Sequence, residues 1–330
     1  MQILLYFCSV FGEMTMQKKI KPYVLPTAII LGICFHKWLS LVGGITPVLI
    51  FIILLLTFCS VKLTKLRPSW LEACIGAIQV VFSIAGYWLT RTLSGNDILA
   101  EGVLIGILCP VAASVSVIAC ELGAKRETVV SYTVVGNLLV AIVAPAVFSV
   151  VGVQQTMPFW TSFWLILRKI ATVLALPYFI ALLLQWFLPK VNNTIARYKG
   201  AAFYLWATAL LLTLGKTMDY IVLQGAGNET TIFWLAVISF ILCTIQFALG
   251  KLLGHHFGDT IAGGQLLAQK NSAIGIWMAC LYLHPLTSVV LAFYSIWTNL
   301  FNSWQLWYYN RRQTGLRPDR TQTATLTEER

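Results

Sequence analysis

Ten long apolar runs, joined by short segments in which the charged residues collect, constrain this chain more than any other feature. A run of about twenty apolar residues matches the roughly 30 Å hydrocarbon core of a bilayer. In lipid every backbone amide and carbonyl needs a partner inside the protein, so such runs fold as helices. The runs predict spans at Tyr23–Phe35, Ile45–Val61, Leu71–Leu89, Ile98–Cys120, Thr128–Val151, Ile170–Leu188, Ala201–Val222, Ile232–Leu253, Ile261–Leu283 and Leu286–Tyr309. An amphipathic stretch, Phe159–Lys169, leads into the sixth. The expected fold class is all-α integral membrane, with ten transmembrane helices.

Composition agrees. Of 330 residues, 58% are apolar and 11% charged, where a soluble domain has about 45–50% and about 25%. The net charge of +11 does not form a nucleic-acid patch, because the Lys and Arg residues fall between spans. This sets aside a soluble enzyme, a secreted disulfide scaffold and a DNA-binding module; the partner expected is the lipid bilayer. The eight cysteines are scattered without a C-x-x-C pair, which reads as helix packing rather than a zinc or redox site. His36, His255, His256 and His284 lie at span ends without metal-ligand spacing, so no metal is expected. The sequons at Asn192 and Asn228 read as chance, only Asn228 falling on the outer side. The first apolar run, Ile3–Phe11, is too short to span and lacks the marks of a signal peptide; Met14 and Met16 are alternative starts.

Basic residues orient the spans. Lys18, Lys19 and Lys21 precede the first. Lys62, Lys65 and Arg67 follow the second, Lys125 and Arg126 the fourth, and Lys190, Arg197 and Lys199 the sixth. Lys251 follows the eighth, and Arg311, Arg312, Arg317 and Arg320 follow the tenth. With ten spans all of these share one side. The other side holds Lys37 and Arg91, with Arg168 and Lys169 on the amphipathic approach. Both termini are therefore expected in the cytoplasm.

Ten spans divide into two fives, and a five-span repeat inverts in the membrane. At an offset of about 160 residues Ala113 meets Ala273, Ala119 meets Ala279, Cys120 meets Cys280, and Val129 and Val130 meet Val289 and Val290. Asn137 and Asn299 match with a small slip. The expected organisation is a cytoplasmic segment 1–20, a first repeat 21–158, a second repeat 159–309 and a disordered cytoplasmic tail 310–330.

Two spans carry interruptions at equivalent places. The fourth holds Cys109-Pro110-Val111-Ala112-Ala113-Ser114-Val115-Ser116. The ninth holds Gly263-Gly264-Gln265-Leu266-Leu267-Ala268-Gln269-Lys270-Asn271-Ser272. Proline removes a backbone donor, and a broken helix in a membrane is tolerated beside a cavity or ligand; the alternative is a simple proline kink. Lys270 is the most informative residue. An ammonium near the bilayer centre costs about 2.5–3.5 kcal/mol on insertion scales, and few acids are at hand: Glu72 and Glu101 lie near span ends, and Asp219 has Lys216 as a local partner. Lys270 is expected to face a polar cavity, holding an anion or standing in for a bound cation; the alternative is an interfacial lysine. Gln79, Thr133, Asn137, Thr298 and Asn299 are expected to line the same cavity, or else to make helix-packing hydrogen bonds.

At these residues the chain resembles the bile acid:sodium symporter family. Cys109-Pro110 through Ser114 and Ser116 to Thr133, with Ala144-Pro145-Ala146-Val147-Phe148, is similar to that family's C-P-G-G-x-x-S-N region and fifth span. Lys270-Asn271-Ser272-Ala273 resembles its M-Q-N-S-G, and Tyr294-Ser295-Ile296-Trp297-Thr298-Asn299-Leu300 its F-S-V-W-H-N. The resemblance implies a panel domain of spans 1, 2, 6 and 7 and a core of the other six, with broken helices 4 and 9 crossing in the core. It also implies a small organic anion as substrate, moved by alternating access in a plasma membrane, the bacterial inner membrane. Lys270, Asn271, Thr298, Asn299, Ser114 and Asn137 would bind the substrate. Gln79, Ser116, Thr133, Gln265 and Gln269 would be remnants of sodium sites. The departures matter: the family's Ser-Asn ligand pair falls on Val115-Ser116, its acidic ninth-span ligand on Leu266, and its glutamine on Lys270. A carboxylate is lost and an ammonium gained, so sodium coupling is expected to be weakened or lost, with Lys270 in a cation site. Ordinary sodium symport is the alternative, and a membrane scaffold or intramembrane enzyme a remote one. No catalytic set and no cofactor beyond sodium is expected, and nothing in the sequence specifies an oligomeric state.

Overall fold

The computed structural model describes residues 27, 30–63, 68–112, 115–152, 158–198, 201–224 and 226–315. Among them the chain is helical, without strands. Helix α1, His36–Val42, runs through a 3₁₀ turn, Gly43–Ile45, into α2, Thr46–Cys59, with Pro47 in the first turn, where its missing amide has no helical partner to lose. Helix α3, Trp70–Ser94, opens on a capping box in which Ser69 and Glu72 satisfy each other's amides. It closes at Gly95, whose φ of 64° is the left-handed turn that glycine takes without strain. Helix α4, Asp97–Leu108, is capped by Asn96 and is followed across a break by α5, Val115–Glu121. Helix α6 spans Arg126–Val151. Helices α7, Phe159–Leu174, and α8, Leu176–Phe187, meet at a bend of 45°. The short α9, Pro189–Arg197, leads to α10, Ala201–Gln224, and α11, Glu229–His256. Helix α12, Thr260–Ala268, capped by Asp259, is followed across a second break by α13, Ser272–Tyr282. A 3₁₀ turn, Pro285–Thr287, precedes α14, Ser288–Gly315.

Among the described residues four helical stretches can cross a membrane by length and composition: His36–Cys59, α3, α6 and α11, with α7–α8 a fifth if the bent pair is one span. Their outward faces carry bare apolar side chains, Leu41 at 82% and Trp38 at 73% exposure among them. Such faces suit lipid and not water, and the protein is membrane-embedded. Inside, Phe58, Leu104, Phe148, Ile166 and Tyr282 form one core between α2, α4, α6, α7 and α13, and Phe148 stacks on Tyr282 at 5.8 Å. Leu235, Phe247 and Tyr294 join α4, α11 and α14, and Leu71, Ile75, Tyr132 and Leu266 join α3, α6 and α12. Helices α11 and α12 approach each other closely. Gly250 and Gly254 face Gly263 and Gly264 so tightly that a Cβ on Gly250 would stand 2.9 Å from Gly264 Cα, the small-residue contact typical of membrane helices.

Several expectations are corrected. The loop placed between the first two spans, around Lys37, is helical, and the candidate span begins at His36. Of the expected first span, only Thr27 and residues 30–35 fall in the described part. Its polar residues are accommodated because His36 Nδ1 lies 3.1 Å from Asp219 on α10. Asp219 thus pairs with His36 rather than Lys216, whose ammonium lies over the Tyr220 ring. The approach Phe159–Lys169 is not separate: it continues to Leu174, because Ile166 and Ile170 keep one face fully buried. Gly263 and Gly264 do not break the ninth segment; they stay helical to admit α11, and the break falls at 269–271. Helix α14 continues to Gly315, past the expected end of the last span. Asn192, read as a chance sequon, is buried and donates to the Cys59 carbonyl. The segment 1–20 and residues 316–330 lie outside the described residues.

Candidate functional site at the junction of two broken helices

Both breaks follow from local chemistry. Helix α4 stops at Leu108, Cys109 turns extended (φ −47°, ψ 135°), and Pro110 has no amide to continue the ladder. Helix α12 stops at Ala268, and Gln269 and Asn271 are extended, with ψ of 87° and 84°. The two stretches then satisfy each other in an antiparallel bridge between Val111 and Lys270. The Ala112 amide donates to the Gln269 carbonyl at 2.9 Å, and the Asn271 amide to the Pro110 carbonyl at 2.8 Å. Cys109 Sγ donates to the Asn271 carbonyl at 3.2 Å.

Carbonyls that the bridge does not reach are taken by three side chains, and a fourth caps the next helix. Gln79 Nε2, from α3, donates to the Leu108 and Cys109 carbonyls at 2.8 and 2.9 Å, while its Oε1 accepts from Tyr132 Oη at 2.9 Å. Lys270 Nζ donates to the Ile107 carbonyl at 2.7 Å. Tyr294 Oη donates to the Ala268 carbonyl at 2.7 Å. Asn271 Oδ1 accepts the Ile274 amide and so caps α13. The ends of α4 and α12 that meet here are C-termini, the negative poles of their helices. Lys270 sets a positive charge against one of them at 5% exposure. Its ammonium is turned onto a backbone carbonyl where a polar cavity was expected. Among the described residues it has no ion pair. The nearby acids are committed elsewhere: Glu72 accepts from Ser131 at 2.8 Å, and Glu101 from the His284 amide at 2.7 Å.

Of the residues singled out from the sequence, Gln79, Gln269, Lys270 and Asn271 come together at the junction. Gln265 lies one turn earlier on α12, its amide donating to Asn302 Oδ1 at 3.0 Å. On α6, Thr133 donates to the Val129 carbonyl and Asn137 to the Thr133 carbonyl, and Asn137 Oδ1 is buried with no hydrogen-bond partner among the described residues. On α14, Thr298 lies 3.6 Å from Cys243 Sγ, and Asn299 donates to the Ser295 carbonyl; adjacent positions on a helix point about 100° apart. Ser116 is half-buried on α5. Ser114 lies outside the described residues. Among these residues the Gln79 oxygen receives the Tyr132 hydroxyl and Thr133 donates to its own helix, while the buried amide oxygens of Asn137 and Gln265 have no hydrogen-bond partner among the described residues. Among the described residues no group of three or more His, Cys, Asp or Glu gathers to hold a metal.

Sequence reasoning passed over Tyr132 and quoted Cys109 and Tyr294 within their motifs without giving either a role. A signal was present: Tyr132-Thr133-Val134-Val135-Gly136-Asn137 and Tyr294-Ser295-Ile296-Trp297-Thr298-Asn299 share the pattern Tyr, hydroxyl residue, three residues, Asn. In each, the asparagine bonds the carbonyl four residues back at 2.6 Å. In each, the tyrosine serves the end of a broken helix, Tyr132 through Gln79 and Tyr294 directly. No protein-family model matches the chain, and no curated protein matches its sequence.

Proposed function

We propose that the chain is a secondary active transporter of a small organic anion in which a fixed ammonium replaces a mobile coupling cation. The observation that carries this reading is Lys270, 5% exposed, bonded to the Ile107 carbonyl at the meeting of two broken helices. A buried charge in a membrane helix is costly and marks substrate and ion pathways. Discontinuous helices at such a point are the construction secondary transporters use to bind ions and charged substrates. The ammonium has three donors, and the Ile107 carbonyl takes one. The matched Tyr–Asn patterns support two related halves; in this reading they are inverted five-span repeats, ten spans in all, with both termini cytoplasmic from the placing of the basic residues. In this reading the spans 1, 2, 6 and 7 form a panel against which the other six rock, in a plasma membrane of bacterial inner-membrane type. Asn271, Thr298, Asn299 and Asn137 would line the substrate path with Lys270. A scaffold without substrate gives no reason to keep an unpaired ammonium among apolar helices.

The test is uptake of labelled monocarboxylates by proteoliposomes holding the whole chain, with choline replacing sodium. Uptake that persists in choline and disappears in Lys270→Gln supports the reading. Uptake with unchanged kinetics in Lys270→Gln removes Lys270 from the mechanism, and steep dependence on external sodium restores ordinary symport.

A further inference from the structure

A cleft of about 810 Å³ opens between the first turn of α2, the middle of α7 and the far half of α13, lined by Pro47, Trp164, Arg168, Lys169, Trp277 and Leu281. Arg168 and Lys169 are adjacent and exposed, and among the described residues neither forms an ion pair. They stand roughly 15 Å along α7 at 1.5 Å per residue. Helix α7 packs on α6 through a face fully buried at Ile166 and Ile170, and Arg168 and Lys169 stand on the opposite, exposed face. Two neighbouring cations without an acidic partner repel each other, which favours a bound negative charge beside them. Around them the wall is apolar and aromatic. Trp164 is 62% exposed, and Trp277 presents an indole from the same half-helix that begins at the junction.

We propose that this cleft binds an anionic head on an apolar body, the carboxylate or sulfonate resting on Arg168 and Lys169 and the body between Trp164 and Trp277. Guanidinium and ammonium together supply charge-assisted hydrogen bonds to the head, and the indoles exclude water from the body. The inference rests on the transport reading for its use, as the place where the anion waits: Trp277 lies seven positions beyond Lys270, roughly 10 Å along the helix. Binding itself needs no transport. A free amphipathic carboxylate and an anionic phospholipid carry this same chemistry.

The experiment titrates 1-naphthoate, with 1-naphthylmethanol as the neutral control, against the full chain in phosphatidylcholine nanodiscs, and repeats the titration in discs rich in phosphatidylglycerol. Naphthoate is expected to bind and the alcohol not to. Arg168→Gln with Lys169→Gln is expected to weaken naphthoate by about tenfold or more, whereas the charge-preserving pair Arg168→Lys with Lys169→Arg retains it. Both side chains are exposed, so the variants keep the wild-type melting temperature. Affinity unchanged by phosphatidylglycerol assigns the cleft to a free anion. Competition by phosphatidylglycerol assigns it to a lipid headgroup, and either result upholds the anion site. Equal naphthoate affinity in wild type and the Gln pair, or no binding in either disc, overturns it. Absent binding beside Lys270-dependent uptake defeats the cleft alone, and binding beside Lys270-independent uptake defeats the junction alone.

Discussion

Methionine at position 79 and methionine at position 270 strip two different caps from the same helix end, and their costs should differ in a counter-intuitive order. Gln79 is 1% exposed, and its loss leaves the Leu108 and Cys109 carbonyls and the Tyr132 hydroxyl buried without the bonds of 2.8, 2.9 and 2.9 Å they now share. A stranded buried polar group costs about 1–3 kcal/mol, and interhelical bonds in membranes average nearer 0.6 kcal/mol. Three such groups place Gln79→Met at about 2–4 kcal/mol. Lys270→Met also loses a bond, the one of 2.7 Å to the Ile107 carbonyl, worth about 1.5–3 kcal/mol as a charged hydrogen bond. It simultaneously removes an ammonium whose insertion costs about 2.5–3.5 kcal/mol. The net change runs from a loss of about 0.5 kcal/mol to a gain of about 2 kcal/mol, so the charged residue should be the cheaper one to remove from the fold. The assay is reversible unfolding in mixed micelles titrated with dodecyl sulfate, followed by circular dichroism. A Lys270→Met loss exceeding that of Gln79→Met would refute the reasoning, and would mean that Lys270 is held for stability and not for function.

Other consequences are simpler. Gly263→Val should separate α11 from α12 and prevent stable expression, since any Cβ there meets the Gly250 carbonyl and Gly254 Cα; a melting temperature equal to wild type would count against the contact. Tyr294→Phe loses the bond to the Ala268 carbonyl and the hydroxyl's contact with Cys243 and should cost about 1–2 kcal/mol by the same micelle titration. Burial lowers the pKa of His284 below its ordinary value, and its Nδ1 accepts the Leu286 amide at 3.3 Å. The unfolded chain therefore takes the proton more readily, and the stability due to the neutral ring is present above the ordinary histidine range and lost as pH falls through it. The melting temperature should drop between about pH 7 and about pH 5 in wild type, with a smaller drop in His284→Gln.

How much of this was legible in the sequence depends on what each residue type can mean. Apolar run length carried the all-α membrane character, because a bilayer admits few alternatives. Pro110 located the first break, but not by proline alone, since Pro145 sits inside the unbroken α6; the polar and small residues beside Pro110 made the difference. The second break was placed too broadly. Gly263 and Gly264 are equally at home in a helix end and in a tight helix contact, and only Gly250 and Gly254 opposite them decide for the contact. Lys270 was legible as buried and unpaired, yet its direction was not, because the Ile107 carbonyl that receives it becomes available only once α4 has ended. Tyr132 and Tyr294 were given no role for a similar reason: a tyrosine in an apolar run is bulk until a frayed helix end lies within reach of its hydroxyl. The helical passage through His36 depended on Asp219, far away in sequence.

The central claim, that the ammonium of Lys270 does the work of a bound cation at the helix junction, is tested most directly by melting the purified chain in sodium chloride and in choline chloride at equal ionic strength, wild type beside Lys270→Gln. The account predicts that wild type melts at one temperature in both salts, while Lys270→Gln melts higher in sodium than in choline. A wild-type protein stabilised by sodium, with a variant indifferent to it, would contradict the account.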